Sequence, residues 1–230
     1  MTAVQSTGLR KLDELLNGGI PLGEITEVTG VAPSGKTSLV LRLLAEVTRA
    51  GRLAAYIDTF SSLDPEYAEQ AGIALPHLLW VRCKDPETEN DPDNLGERAL
   101  KAADILARSG DFGVVVLDLI DPPGTGGSTE RSPTGRWNFP AHAWFRLQRA
   151  LKGSSTAFVV LSSRPLAGRA SSVVLVMECS RSRWITAPSP LGVTGRFPSL
   201  AVGNRFHGIE SRAQSIRGSA YGTIQVYCRL

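Results

Sequence analysis

Short apolar runs alternate along the chain with longer stretches of helical period. Residues 23–30 (GEITEVTG) read as a strand that ends on Gly30. A helix is predicted over 37–51, because Leu39, Leu43 and Val47 recur at helical spacing and Gly51 is a good C-terminal stop. The same alternation predicts strands over 52–58, 77–83, 112–120, 155–163 and 171–180, with helices over 64–72, 95–110 and 140–153. Asp64 is placed to cap the 64–72 helix, with Pro65 in its first turn. Residues 84–94 are polar and loop-like, and 121–138 form a loop rich in Gly, Pro and Ser. Beyond Arg181 the pattern weakens, and SLAVGNRFHG and YGTIQVYCRL predict a terminal antiparallel strand pair. Several strands are apolar throughout, so both of their faces must be covered. The expected fold is therefore α/β, with a mainly parallel central sheet flanked by helices. Such sheets bind ligands at the carboxyl ends of their strands.

Composition narrows the class without changing this picture. A chain of 230 residues with 42% hydrophobic positions can bury a real core and reads as one domain, 1–230. Within it a core over about 7–180 precedes a basic β extension over about 181–230. No apolar run is long enough to span a membrane, and the N-terminus has no apolar signal core. Cys83, Cys179 and Cys228 fit neither a zinc spacing nor a disulfide framework, so a cytoplasmic, reducing home is expected. His77, His142 and His207 have no ligating neighbours at metal spacing and read as surface or packing residues.

Charge changes the picture more. The net charge of +3 conceals an acidic first part, where residues 1–130 carry 11 Lys+Arg against 20 Asp+Glu. The remaining 14 basic residues, all but one arginine, share residues 131–230 with only Glu178 and Glu210. Guanidinium groups pair with phosphate oxygens, so a polyanion or an acidic protein is the expected contact, against the plainer reading of a solvated surface.

The strongest local chemistry is GVAPSGKTS. Gly30, Gly35, Lys36 and Thr37 satisfy G-x-x-x-x-G-K-[ST], between a predicted strand and a predicted helix. The candidate nucleotide-binding residues are Gly30, Val31, Ala32, Pro33, Ser34, Gly35, Lys36, Thr37 and Ser38. Backbone N–H groups and the helix N-terminus would face the phosphates, Lys36 would reach the outer ones, and Thr37 would ligate Mg2+. The alternative is a relic loop that no longer binds. Asp118 ends the apolar strand VVVLD, where an acid associated with Mg2+ belongs, although an Asp there also suits the capping of the next turn. ATP and Mg2+ are the expected cofactors.

At this point the residues resemble one superfamily. TGLRKLDELLNGGIPLGEITEVTGVAPSGKTSLVLRLL is similar to the opening of the RecA-type recombinase core, AAYIDTFSSLDPEYAEQAGI to the RecA segment after the phosphate loop, and ARSGDFGVVVLDLI to its magnesium-associated strand. The matches are collinear over about residues 7–120. A narrower resemblance, carried by LPHLLWVRC, WFRLQRALKGS, AFVVLSSRPLAG and RSRW, is to ImuA, a short RecA relative of inducible mutagenesis. ImuA accompanies an ImuB-like polymerase homologue in bacterial translesion synthesis. The resemblance implies adenine contacts from Asp64 and Tyr67. A helix cap at Asp64 and core packing at Tyr67 are the structural alternatives.

The departures from RecA are informative. RecA has a glutamate two residues after the strand-end Asp, and that glutamate activates the attacking water. Here Phe60 stands there, and a phenyl ring cannot take a proton. Where RecA ends its next sheet strand on an NQ pair, this chain has Ser162 and Ser163, followed by the short loop RPLAGRA. A core beginning near residue 7 also leads to the expectation that the RecA filament arm is not part of the chain, nor the RecA C-terminal domain. ATP binding with weak or absent hydrolysis is expected from these differences. The other readings are a DNA-stimulated ATPase or recombinase and a phosphate-loop kinase. The LDPEY match and the lack of a lid-like insertion count against the kinase. Arg131, Arg136, Arg164, Arg169, Arg181 and Arg183 are the candidate contacts to single-stranded DNA, RecA or another protein partner. Trp137 beside Arg136 could stack on bases or simply pack on the core.

Overall fold

In chain order the elements are β1 (Val4–Gln5), α1 (Arg10–Leu15), β2 (Ile20–Pro21), β3 (Ile25–Thr29), α2 (Lys36–Arg49), β4 (Ala54–Asp58), α3 (Pro65–Gln70) and β5 (Leu78–Arg82). There follow α4 (Pro92–Ser109), β6 (Val114–Asp118), α5 (Ala141–Leu151), β7 (Ala157–Ser162), β8 (Ser171–Ala187), β9 (Gly203–Arg217) and β10 (Gly222–Arg229). These come from a computed structural model that describes residues 3–84, 92–120, 137, 139–187, 203–217 and 222–229.

Eight strands form one sheet in the order β10-β9-β8-β3-β7-β6-β4-β5. The six strands from β8 to β5 are mutually parallel, and β9 and β10 add antiparallel pairings at one edge. β1 and β2 make a separate antiparallel pair. The expected mainly parallel sheet is present, and so is a terminal antiparallel pair, although β10 pairs with residues 208–215 of β9, while residues 203–208 of the expected partner SLAVGNRFHG pair with β8.

The period of two along each strand divides the core. Val114 and Val116 of β6 and Val159 and Leu161 of β7 face one side, together with Leu39, Leu43 and Val47 of α2. Val115, Leu117, Phe158 and Val160 face the other, against Ala99 and Ala103 of α4 and Trp144 and Leu147 of α5. Each fully buried Leu, Val or Phe contributes about 1.5–3 kcal/mol relative to exposure, so covering both faces is what holds a parallel sheet together.

Two expectations need correction. α4 begins at Pro92, so residues 92–94 are helical rather than loop; a proline is well suited to a first helical turn. The remainder of that predicted loop, 85–91, lies outside the described residues, as does most of the 121–138 loop. β8 does not stop near Ser180 but continues to Ala187, paired along its length with β9. Residues 178–183 (ECSRSR) carry almost no apolar side chain, so the apolar signal fades while backbone pairing with β9 carries the strand on.

Candidate nucleotide site

The phosphate-loop sequence leaves β3 at its carboxyl end and enters α2, as the motif requires. Two glycines are needed there. Gly30 has φ of 151°, and a side chain on it would run into the Met177 carbonyl oxygen of the neighbouring β8. Gly35, at φ of 78°, is the left-handed residue from which α2 starts. Val31 at the crest of the loop is 69% exposed, and Ala32 and Pro33 are exposed beside it, whereas Ser34 is buried.

Lys36 is only 4% exposed. Its Nζ donates to the Gly30 carbonyl at 2.7 Å and to Ser34 Oγ at 3.4 Å. Burial pushes its pKa down, and the nearby Asp118 carboxylate partly opposes this. Thr37, next in the helix, is exposed, and Ser38 is half-buried. Lys36, turned into the loop, and Thr37, exposed in the first turn, both belong to the N-terminus of the 14-residue α2, where the first N–H groups of a helix have no intrahelical acceptor. That donor set fits the phosphates of a nucleotide.

Asp118 ends β6 two strands away from β3, with β7 between them. It is 4% exposed, and its pKa is raised to about 6, chiefly by burial. Hydrogen bonds from Tyr56 and from the Ile120 N–H hold the pKa down against that burial, as does the charge of Lys36, whereas Asp58 pushes it further up. The Tyr56 hydroxyl donates to Asp118 Oδ2 at 2.5 Å, and the Ile120 N–H donates to Oδ1 at 2.9 Å. Asp58 lies directly opposite on β4. Its carboxylate accepts from the Ser62 N–H at 3.0 Å, the Leu63 N–H at 2.9 Å and the Trp80 indole at 3.1 Å. A carboxylate and a hydroxyl are hard oxygen donors of the kind Mg2+ takes, so Asp118 and Thr37 fit that ion. A cation there would favour the charged form of Asp118.

Asp64 caps α3 as expected, accepting from the Glu66 N–H at 2.9 Å and the Tyr67 N–H at 3.3 Å. Tyr67 is half-buried against the α2-side core, and burial raises its phenol pKa. The helix cap is therefore present, and the ring of Tyr67 retains partial exposure.

Phe60 turns toward the opposite core. Its ring lies 5.9 Å from that of Trp137, tilted by 58°. Trp137 stacks on Phe139 at 5.6 Å, and Phe139 meets Trp144 edge-on at 5.6 Å. Trp137 is 8% exposed and donates its indole N–H to the Leu119 carbonyl at 2.7 Å. Of the two readings the sequence left open for Trp137, core packing is the one present: it and Trp144 are buried in the core, where their large apolar areas leave water.

Among the described residues the candidate arginines are not brought to one place. Arg164 and Arg169 are exposed on the connection between β7 and β8, with Arg164 within 3.5 Å of the Trp137 carbonyl. Arg181 instead shares a cavity of about 680 Å³ with Arg10, Lys11, Glu210 and Gln225. Arg183 lies on β8 opposite Gly208. Arg131 and Arg136 lie outside the described residues.

The sequence reading missed Tyr56 and Glu27. Tyr56 is a polar group among the apolar residues that precede Asp58 in β4, and that was the available signal. Glu27, fully buried on β3, accepts from the N–H groups of Leu166 and Ala167 and so ties the arginine-bearing connection to the strand that leads into the phosphate loop. An acid inside ITEVT was the corresponding clue.

The model of the RecA N-terminal domain matches residues 2–122, which include the loop, Asp64, Tyr67 and Asp118. The chain belongs to this family. RecA of Rubrobacter xylanophilus is 46% identical to it over 116 residues, which make up 50% of this chain and 31% of that protein. The chain thus spans about a third of the length of the curated relative it matches. In this RecA-family chain the matched region ends close to β6, so α5 and the strands from β7 to β10 lie beyond it.

Proposed function

We propose that this chain is a RecA-like ATP-binding accessory protein of the bacterial DNA damage response, serving error-prone translesion synthesis with weak or no ATP hydrolysis. The observation that carries the reading is Phe60, an aromatic ring packed against Trp137 where RecA places its water-activating glutamate. Carbon cannot orient or deprotonate water. ATP–Mg2+ would be held by the 30–38 loop, by Thr37 and Asp118 at the metal, and by Asp64 and Tyr67 at the base. In this reading the core over about 7–180 and the basic strands over 181–230 form a single cytoplasmic domain. Among the described residues no helix is long and apolar enough to cross a membrane. The arginines would meet a protein partner, namely an ImuB-like polymerase homologue suggested by the ImuA resemblance, and RecA or single-stranded DNA.

The identity to a protein named RecA favours a second reading, a DNA-stimulated ATPase or recombinase. ATP binding and turnover, measured with and without single-stranded DNA in wild type and Lys36→Ala, separate the two. Lys36-dependent binding with negligible turnover supports the accessory reading. Robust DNA-stimulated turnover that vanishes in Lys36→Ala overturns it.

A further inference from the structure

We propose that Tyr56 is a positioning residue, whose hydroxyl holds the Asp118 carboxylate in the orientation that a magnesium-bound nucleotide needs at the phosphate loop. This rests on the reading of that loop as a nucleotide site.

The geometry is specific. Asp58 and Asp118 are paired in register on adjacent parallel strands, so Tyr56, two residues before Asp58, is the diagonal neighbour of Asp118. Tyr56 and its strand neighbours Val114 and Val116 face α2, the same side as Lys36. A diagonal reach of this kind suits an aromatic side chain, and the hydroxyl meets Asp118 Oδ2 at 2.5 Å. Tyr56 is 2% exposed. A phenol buried that deeply needs a hydrogen-bond partner, so the hydroxyl and the acid specify each other.

The remaining contacts of Asp118 complete the hold. Ile120 N–H takes its Oδ1, and the Thr59 hydroxyl donates to its main-chain oxygen at 2.7 Å. Asp58 has its own donors in Ser62, Leu63 and Trp80 and does not compete for Tyr56. An ionised carboxylate has about four lone-pair sites, so these two donors orient the group and leave it able to accept more. Groups that orient an acid near a metal in this way typically set metal affinity by about 10–100-fold.

The test is the Mg2+ dependence of ATP binding, followed by calorimetry without reference to turnover. In wild type, added Mg2+ should tighten ATP binding relative to EDTA. In Tyr56→Phe, affinity in EDTA should stay within about twofold, while the Mg2+ midpoint should rise about tenfold. In an Asp118→Asn background the Tyr56→Phe change should have no further effect on that midpoint, because the hydroxyl would act through the acid. A folded Tyr56→Phe protein with an unchanged Mg2+ midpoint overturns the inference. Should Tyr56→Phe not fold, a ring-fluorinated tyrosine placed at position 56 keeps the hydroxyl. Its fluorine NMR signal should move when Mg2+ joins the ATP complex, and an unmoved signal overturns the inference. Wild-type protein that fails to bind ATP, or Lys36→Ala protein that binds it normally, overturns the reading of the loop itself, and does so before Tyr56 is compared.

Discussion

Phe60 and Trp137 lie ring against ring, with centroids 5.9 Å apart and planes at 58°. The contact places the second residue after β4 in the core shared by α4 and α5. Phe60→Ala should destabilise the protein by about 1–2 kcal/mol, less than the 3–5 of a fully buried Phe because Phe60 is only half-buried. Denaturant unfolding measures this. Any residual ATP turnover should be unaffected, since no acid or base is removed.

Gly30 gives a sharper loss. Its positive φ and the Met177 carbonyl oxygen leave no space for a methyl group. Gly30→Ala should lower stability by at least about 1–3 kcal/mol and abolish the upward shift of Tm that ATP produces in wild type. A thermal melt with and without ATP reads both effects.

Asp118 makes stability depend on pH in an unusual direction. Its native pKa is about 6, above the value of 3.8 for the free group. The native state therefore holds the proton more tightly than the unfolded chain does, and this contribution to stability grows as pH falls from about 7 toward 4. At pH 7.5 the ionised, buried acid costs on the order of 2–3 kcal/mol. With EDTA present, Asp118→Asn should be more stable than wild type at pH 7.5, and the advantage should fade near pH 4. Chemical denaturation at the two pH values tests the sign.

Cys83 and Cys179 should differ in reactivity. Cys83 is buried, and its thiol is pushed up to about 11 by burial and by Asp58, against the opposing charge of Arg98. Cys179 is exposed on β8. At pH 8 a maleimide should label Cys179 well before Cys83, because the thiolate is the nucleophile. Peptide mapping by mass spectrometry gives the order.

The sequence by itself determined whatever depends on neighbours along the chain. The helical period placed α2, and the wholly apolar runs placed β6 and β7 and called for a parallel sheet covered on both faces. The glycine spacing from Gly30 to Gly35 located the phosphate loop, and Asp64 with Pro65 marked the start of α3. Only the tertiary structure decided contacts between distant segments. Tyr56 meets Asp118 because β4 and β6 lie side by side in one register. Glu27 holds Leu166 and Ala167 because β3 runs beside β7 and β8. Trp137, which the sequence left open between base stacking and core, shares the core with Phe60 because packing two aromatic rings together removes apolar area from water. Local periodicity records which face of an element is apolar. It does not record which element that face will meet, and that pairing is what builds the candidate site.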